Sequence, residues 1–317
     1  MKKLLQSILA ILLLPLISVA QFGTWTLLPN APETPDRFDD IYFVTDSTGW
    51  AVNSQGKIYK TTDAGSNWNL QFTANVYFRS VEFLNADTGF AGTLDGKFFK
   101  TTNGGNLWYN FEDSLPLQVD GICGMSHVGN TIYACGIWST PAYVLKSVDA
   151  GTTWSVINLS AYAGAAVDCW FLSEDTGFVS GSSALYGDGV ILKTTNGGAT
   201  WAIKKTVDPG NYVWKLDFLN HQLGYASVED FLPQNPSTFL KTTDGGETWE
   251  QQIVCPENID MEGLGFLNDT LGWCGGWSTG MWETKNGGLN WNYIDAGLSL
   301  IHISEPTRRT PISYAVF

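Results

Sequence analysis

Carboxylates and tryptophans are the side chains of this sequence with the clearest capacity for chemistry. Two carboxylates about 5 to 10 Å apart over a concave pocket can hydrolyse a glycosidic bond, and exposed tryptophans stack well on sugar rings. The acids that stand outside the repeated motif described below are Asp39, Asp40, Asp120, Asp168, Asp188, Asp217, Asp230, Asp260 and Glu262. Because several of them begin a predicted strand, we expect a ring of carboxylates around one mouth of a central channel, suited to a cation or to sugar hydroxyls.

The candidate binding rim combines these acids with tryptophans from two related segments, CGIWST at 135–140 and CGGWST at 274–279. Longer loops at the rim of a repeat protein are where ligands usually bind, and the loops at 183–189 and 229–237 widen the same region. The rim residues are Trp138, Trp277, Trp282, Asp168, Asp217 and Asp260. Two plainer interpretations stay open, solvated loop ends for the acids and packing between repeat units for the tryptophans. No residue is assigned a catalytic role.

Metal and cofactor chemistry find little support in the sequence. No Cys-x-x-Cys or histidine-rich cluster occurs, and His127 and His221 are isolated, so we predict neither a metal nor a cofactor. The five cysteines are Cys123, Cys135, Cys169, Cys255 and Cys274. In an exported chain they could form two disulfides, Cys123 with Cys135 and Cys255 with Cys274, with one thiol left over. Buried free thiols are the alternative.

A nine-residue motif repeated six times must position all of these side chains. It reads KTTDAGSNW at 60–68, KTTNGGNLW at 100–108, KSVDAGTTW at 146–154, KTTNGGATW at 193–201, KTTDGGETW at 241–249 and ETKNGGLNW at 283–291. The motif tryptophans are 40, 46, 47, 48 and 42 residues apart, which is the length of a four-stranded propeller blade. The sequence therefore predicts an all-β propeller with almost no helix.

The motif is identified as an Asp-box, also called a bacterial neuraminidase repeat. We expect its acid to cap backbone N–H groups in a hairpin, its glycine to supply a positive φ, and its tryptophan to pack between blades with its N–H near a partner. Asp and Asn alternate at the acid position, which turn capping tolerates and catalysis would not. The predicted structural residues are Asp63, Gly65, Trp68, Asn103, Gly105, Trp108, Asp149, Gly151, Trp154, Asn196, Gly198, Trp201, Asp244, Gly246, Trp249, Asn286, Gly288 and Trp291.

The blades are predicted near 38–72, 78–111, 119–157, 166–203, 213–253 and 262–294, within a propeller domain at 21–297. The segment TWTLL at 24–28 resembles the fourth strand of a blade, yet no Asp-box precedes it. In ring-closing propellers the N-terminal strand completes the last blade and removes an exposed edge. We therefore predict a seven-bladed parent whose seventh blade is truncated here; a six-bladed ring with an extra strand is the alternative.

Both ends of the chain are interpreted as lying outside the propeller. Residues 1–20 combine Lys2 and Lys3, an apolar run at 4–19 and a small-residue site at Ala20, which predicts a signal peptide and an exported protein, whether secreted, periplasmic or at the cell surface. A membrane anchor is the alternative, but the run is short for a bilayer span. Residues 298–317 lose the repeat and resemble a translated sequencing-library adapter, so we expect them to be non-native.

Charge restricts the choice of partner. With 17 basic and 31 acidic residues the formal net charge is −14, which disfavours nucleic acid and anionic membranes. Between residues 21 and 297 the arginines are Arg37 and Arg79 alone. Sialidases bind the carboxylate of sialic acid with three converging arginines, so sialidase chemistry is disfavoured. We expect a monomer with no membrane span once the signal peptide is cleaved.

Over most of its length the repeat pattern resembles the photosystem II stability/assembly factor type of Asp-box propeller. The matching pattern is [FI]-x-x-x-D-x-x-G-[WF]-[AV] followed by G-x-[IF]-[YF]-K-T-T-[DN]-[GA]-G-x-x-W. The resemblance implies an exported, non-enzymatic propeller that holds a protein or glycan partner. Known assembly factors use an arginine-rich patch, whereas Arg37 and Arg79 are far apart in this sequence. A carbohydrate-active hydrolase on the same ring is the alternative function.

Overall fold

The computed structural model describes residues 28, 30–34, 37–136, 141–183, 187–276 and 281–294. Its 24 strands form six four-stranded antiparallel sheets, each built from consecutive strands. Within these ranges the only helical element is a 3-10 turn at Glu112–Ser114, and no helix is long and apolar enough to cross a membrane. The predicted all-β propeller with six blades is confirmed.

The strands of blades one to three are β1 Phe38–Phe43, β2 Gly49–Asn53, β3 Lys57–Thr61, β4 Asn69–Thr73, β5 Phe78–Phe83, β6 Gly89–Thr93, β7 Phe98–Thr101, β8 Tyr109–Asn110, β9 Gly124–Val128, β10 Thr131–Cys135, β11 Tyr143–Ser147 and β12 Ser155–Asn158. Those of blades four to six are β13 Ala163–Phe171, β14 Gly177–Ser183, β15 Gly189–Thr194, β16 Ala202–Val207, β17 Tyr212–Phe218, β18 Gly224–Glu229, β19 Ser237–Thr242, β20 Glu250–Cys255, β21 Met261–Phe266, β22 Gly272–Gly276, β23 Met281–Thr284 and β24 Asn292–Ile294.

Burial falls from the first strand of each blade to the fourth. Every residue of β5 is buried, whereas both residues of β8 are exposed. The first strands of successive blades pack on one another from β1 through β5, β9, β13 and β17 to β21. The first strands therefore line the centre of the ring, and the fourth strands form its outer wall.

Neighbouring blades are joined by a repeated junction. Trp50 of β2 stacks on Phe83 of β5 with ring centroids 3.5 Å apart, and Lys60 donates from Nζ to the carbonyl of Gly104 at 2.9 Å while lying 4.8 Å from the Trp50 ring. Aromatic stacking and a cation over the ring both stabilise this contact. The same lysine link joins Lys100 to Ala150 and Gly151, Lys146 to Gly197, Lys193 to Gly245, and Lys241 to Gly287.

The motif turns are held by side-chain hydrogen bonds to the backbone. Asp63 Oδ1 accepts from the N–H of Asn67 at 2.8 Å, and Thr61 Oγ1 accepts from the N–H of Gly65 at 2.9 Å. Asn103 makes the equivalent bond with its amide oxygen, accepting from the N–H of Leu107 in the same turn at 2.9 Å. Since the turn needs only an acceptor, Asp and Asn serve equally well. Gly65 has φ +83°, a conformation that favours glycine.

The motif tryptophans depart from expectation in one respect. Trp201 donates from Nε1 to the carbonyl of Gly198 at 3.1 Å, but within the described residues the buried N–H groups of five others have no acceptor: Trp68, Trp108, Trp154, Trp249 and Trp291. The expected partner is therefore wrong for those five. Their rings pack edge-on against phenylalanines, as Trp108 does on Phe83 at 5.8 Å, which directs the ring edge into apolar surroundings.

Several sequence predictions lie outside the described residues. These are the signal peptide at 1–20, most of the strand at 24–28, Trp138, Trp277, and the tail at 298–317. The seventh blade stays a prediction. Within the described ranges, no strand packing of the kind that joins β1 to β5 joins β21 to β1, and blades six and one meet through an ion pair between Glu262 and Arg37.

Candidate functional site at the channel mouth

One extra residue in the first strand of most blades shapes the channel mouth. Phe38 pairs with Asn53 and Asp40 with Val52, which leaves Asp39 unpaired as a β-bulge. A bulge re-aims a side chain that would otherwise follow the alternation of the strand. The same irregularity occurs in β5, β13, β17 and β21, and Cys123 holds the position just before β9. The six residues at this level are Asp39, Arg79, Cys123, Val167, Trp214 and Glu262.

One half of this level is an ionic network. Arg37 Nε and Arg79 Nη1 both lie 2.7 Å from Asp39 Oδ1. Arg37 Nη2 lies 3.0 Å from Glu262 Oε2, and Arg79 Nη2 lies 3.7 Å from the same oxygen. The hydroxyl of Tyr77 also donates to Asp39 Oδ1, at 3.2 Å. Side chains from blades six, one and two thus meet, and the two arginines that are far apart in sequence share one carboxylate.

The other half is apolar and joins the network through Arg79. Cys123, Val167 and Trp214 form one buried cluster. The guanidinium of Arg79 lies over the Trp214 ring, 5.3 Å from its centroid, and Nε of Arg79 donates to Cys123 Sγ at 3.4 Å. On its far side Trp214 donates from Nε1 to the carboxylate of Glu229. Residues from all six blades therefore line the channel at this level.

Burial sets the protonation of the acids at the mouth. Burial raises the pKa of Asp39 to about 7, although Arg37 opposes the shift. It also raises the pKa of Glu229 to about 7, against the hydrogen bond from Trp214. Burial of the Cys123 thiol raises its pKa as well, so it is a poor nucleophile. Strongly shifted acids beside charged partners mark this region as a candidate site.

Two of the predicted rim acids have another task. Asp168 is fully buried; its Oδ1 accepts from the N–H of Cys169 and its Oδ2 from the N–H of Leu216 in the next blade, both at 2.9 Å. Asp217 Oδ2 accepts from the N–H of Phe266 in the blade after that, at 2.6 Å. These carboxylates tie first strands together. The structure therefore does not bring Asp168 and Asp217 to the mouth with Asp260.

Of the remaining rim predictions, one lies at the mouth and one lies within blade six. Asp260 stands at the mouth, just before β21, with φ +47° and its N–H bonded to Asn258 Oδ1 at 2.9 Å. Trp282 lies on the third strand of blade six, 5.6 Å from the ring of its cross-strand partner Tyr293. It is thus a packing residue away from the channel. The five cysteines are free, buried thiols, so the two predicted disulfides are absent from this structure.

A loop beside the mouth presents two apolar side chains to solvent. Phe231 and Leu232, between β18 and β19, are 57% and 51% exposed. Asp230 Oδ1 accepts from the N–H of Leu232 at 2.8 Å, and the amide of Asn258 donates to the carbonyls of Asp230 and Leu232 at 2.6 and 3.0 Å. These bonds hold the loop in place. We refer to Phe231 and Leu232 as the apolar knob.

Aromatic rings connect the apolar knob to the channel. Tyr212 lies 5.9 Å from the Phe231 ring and 5.4 Å from the Trp214 ring, with which it is stacked at 24°. Tyr212 is also the direct cross-strand partner of Glu229. The sequence analysis did not predict a role for Tyr212, Trp214 or Glu229. It selected tryptophans in the longer loops and acids at the start of strands, and none of these three residues belongs to either group.

A cavity of about 560 Å³ lies farther out, between the β6–β7 turn and the segment at 112–120. Its walls include four acids and one lysine: Asp95, Glu112, Asp113, Asp120 and Lys97. The rest of the lining contains no aromatic residue and consists of Gly96, Leu115, Leu117, Gln118 and Val119. The cavity therefore has carboxylates but lacks the aromatic walls on which a sugar ring would stack.

Comparison with solved structures defines the class of protein. A structure described as YCF48 bound to D1 peptide matches with a TM-score of 0.67 and 16% identity, over 92% of this chain and 91% of that one. YCF48 from Cyanidioschyzon merolae matches at 0.65 and 16%, over 86% and 88%. The GH74 xyloglucanase from Xanthomonas campestris matches at 0.64 and 12%, over 86% of this chain but 46% of that one. The chain is a β-propeller protein; identities this low establish the fold alone.

No family model matches the sequence, and no curated protein matches it.

Proposed function

We propose that this chain is an exported, non-enzymatic Asp-box propeller that acts as a binding or assembly scaffold and holds a protein partner on the face of the channel mouth. The observation that carries the proposal is the apolar knob. Phe231 and Leu232 are more than half exposed on a loop fixed by hydrogen bonds. Large apolar side chains held rigidly in solvent are typical of protein interfaces, because docking costs little ordering entropy.

The position of the apolar knob supports the proposal. It adjoins the channel mouth, where the ionic network joins blades six, one and two. One structural neighbour is described as bound to a peptide, and propellers commonly present partners with a rim of loops on a rigid ring. The signal peptide predicted at 1–20 supports export.

A glycan partner is the second form of the same proposal, and hydrolysis of a glycan is the alternative. The acid-lined cavity favours testing hydrolysis, since Asp95, Glu112, Asp113 and Asp120 share it. The absence of an aromatic lining argues against it. If the chain hydrolyses xyloglucan and Asp120→Asn abolishes the activity, the hydrolase is correct and the scaffold proposal fails.

Site-specific photocrosslinking tests the scaffold proposal. A benzoylphenylalanine replaces Phe231 in one variant and Leu289 in a matched control, and each protein is irradiated with envelope and secreted proteins of the source organism. Leu289 is 72% exposed but lies in the turn between β23 and β24, at the opposite face of the ring. We expect a discrete adduct from position 231 and none from position 289. Adducts of equal intensity from both positions, or from neither, would refute the proposal.

A further inference from the structure

The ledge formed by Tyr212, Trp214 and Glu229 has the composition of a cation-recognition site. An aromatic face beside a carboxylate attracts ammonium and guanidinium groups through the ring quadrupole and through charge. Tyr212 and Glu229 face each other across β17 and β18, and Tyr212 is stacked on Trp214. Tyr212 is partly exposed, whereas Trp214 and Glu229 lie beneath it, 7% and 6% exposed. Arg79 already occupies the inner end of this ledge, over Trp214. The fold itself thus shows that the Trp214 ring accepts a guanidinium.

Among the residues that the structure describes, carboxyl groups outnumber cations around the ledge. Within the described ranges, the carboxyl groups at the mouth are those of Asp39, Glu229, Asp260 and Glu262. Besides burial, the charges of Glu262 and Asp260 raise the pKa of Glu229, and the charge of Arg37 lowers it. Arg37 and Arg79 are both engaged with Asp39 and Glu262. Lys215, the next residue after Trp214, places its charge close enough to Cys123 to act on that thiol.

The buried end of the network shows the same shortage. Among the residues that the structure describes, none donates a hydrogen bond to Oδ2 of Asp39. The side chain of Asp39 is fully buried, and a buried acceptor without a donor costs free energy. The network therefore leaves one carboxylate oxygen of Asp39 with unused acceptor capacity.

We propose that the ledge of Tyr212, Trp214 and Glu229 binds an arginine side chain of the partner protein, with its guanidinium over Tyr212 and its N–H groups directed to Glu229. The apolar knob borders the ledge through the Phe231–Tyr212 contact. The recognised segment accordingly combines an arginine with apolar residues, and its positive charge complements the net charge of −14. The inference rests on the proposed function only in taking the arginine from a protein partner.

The test uses two small probes of nearly equal shape. N-acetyl-arginine amide and its uncharged twin N-acetyl-citrulline amide are titrated into the full chain, and the indole N–H resonance of Trp214, assigned with Trp214→Phe, is followed by NMR. We expect the arginine probe to shift this resonance in a saturable way and the citrulline probe to leave it unmoved. Equal shifts from both probes, or no shift up to about 50 mM, where a site of even millimolar affinity is saturated, would overturn the inference.

Variants locate the site. Glu229→Gln removes the charge while keeping the shape and is expected to weaken arginine binding at least about fivefold. Glu250→Gln, which removes an exposed acid on β20 of the same blade, is expected to change it less than about twofold. Should Glu229→Gln fail to fold, Tyr212→Leu replaces it with the same expected loss. Unchanged affinity in the folded ledge variant would contradict the proposal.

A pH series adds a second readout. Because the pKa of Glu229 is raised to about 7, its carboxylate is mostly protonated at pH 6 and mostly ionised at pH 8. Arginine binding is therefore expected to strengthen as the pH rises, and Glu229→Gln to remove that dependence. Arginine binding without a crosslink at position 231 would support the arginine site and refute the proposal that a protein partner docks on this face. A crosslink without arginine binding would support the docking proposal and refute the arginine site.

Discussion

Replacing Arg79 with methionine tests how much the ionic network contributes to stability. Arg79 donates to Asp39 at 2.7 Å, pairs with Glu262 at 3.7 Å and lies over Trp214. Removal of one partner from a buried ion pair usually costs about 3 to 5 kcal/mol, because the other charge is left uncompensated. Here Arg37 still binds Asp39, so we expect a loss near the lower end, about 3 kcal/mol at pH 8.

The loss should depend on pH. Asp39 has a pKa of about 7, and without Arg79 its ionised form is less favoured still. At pH 5 the carboxyl is protonated in both proteins, so an uncompensated charge no longer arises, and the difference should fall to roughly half. Urea unfolding followed by tryptophan fluorescence at the two pH values measures both numbers.

A matched control separates the network from a surface ion pair. Lys97 pairs with Glu112, but the lysine side chain is 42% exposed, so Lys97→Met should cost about 1 kcal/mol or less. If Arg79→Met costs no more than Lys97→Met at pH 8, the ionic network does not hold blades six, one and two together and the reasoning is refuted.

Three further predictions follow from the same contacts. Asp39 and Glu229 have folded pKa values of about 7 against ordinary values of 3.8 and 4.5. The folded state therefore binds these protons more tightly than the unfolded state, and its stability should fall as the pH rises from about 4 to about 7. Asp39→Asn and Glu229→Gln should each reduce that pH dependence in thermal unfolding. Asp168→Ala should lower the free energy of unfolding by about 3 kcal/mol, since it strands the buried N–H of Leu216, while Asp168→Asn should cost less because it keeps one acceptor; equal losses in urea unfolding would contradict this account. Asp244→Asn should be nearly neutral and Asp244→Ala should lower the free energy of unfolding, because only alanine removes the acceptor of the turn; a larger loss for Asn than for Ala in the same assay would show that the turn needs the charge.

The fold could be predicted from sequence because its determinants are local and repeated. Each motif places an acceptor, a positive-φ residue and a tryptophan at fixed spacing. Together these residues determine the hairpin between the third and fourth strands, and the hairpin sets the pairing of the blade. Asp63 and Asn103 make equivalent turn bonds, so the exchange that excluded catalysis in the sequence also explains the geometry. The acids of the first strands also belong to the repeat, but Asp168 and Asp217 form hydrogen bonds to the neighbouring blade. Their roles therefore depend on contacts between blades.

The candidate site could be predicted only in part. A β-bulge shifts the alternation of the first strand by one residue, so the side chains that reach the channel are not those that a regular strand would present. The six residues at the level of Asp39 each lie four positions before a residue near the end of the same blade's first strand. Those later residues are Phe43, Phe83, His127, Phe171, Phe218 and Phe266. That spacing is a usable signal. Used as a rule, this spacing predicts that Arg79 lies beside Asp39 and that Trp214 lies in the channel. The sequence analysis instead treated Arg37 and Arg79 as separate because they are far apart along the chain.

Other misses have a similar physical reason. Asp168 and Asp217 were expected to face a ligand, but each accepts a backbone N–H of the neighbouring blade. A single sequence does not reveal which blade edge a carboxylate meets. Trp282 follows the segment that contains Trp277, yet its place on the third strand of blade six sets it against Tyr293, away from the channel.

The affinity of the crosslinked partner for two double variants tests the central claim most directly. Phe231→Asp with Leu232→Asp alters the apolar knob, and Leu107→Asp with Leu289→Asp makes the same change in two turns of the opposite face, where these leucines are 64% and 72% exposed. Calorimetric titration should show at least a hundredfold weaker binding, about 3 kcal/mol, for the first pair and unchanged binding for the second. Unchanged binding by the first pair, with both variants folded, would contradict the claim that this face of the ring holds the partner.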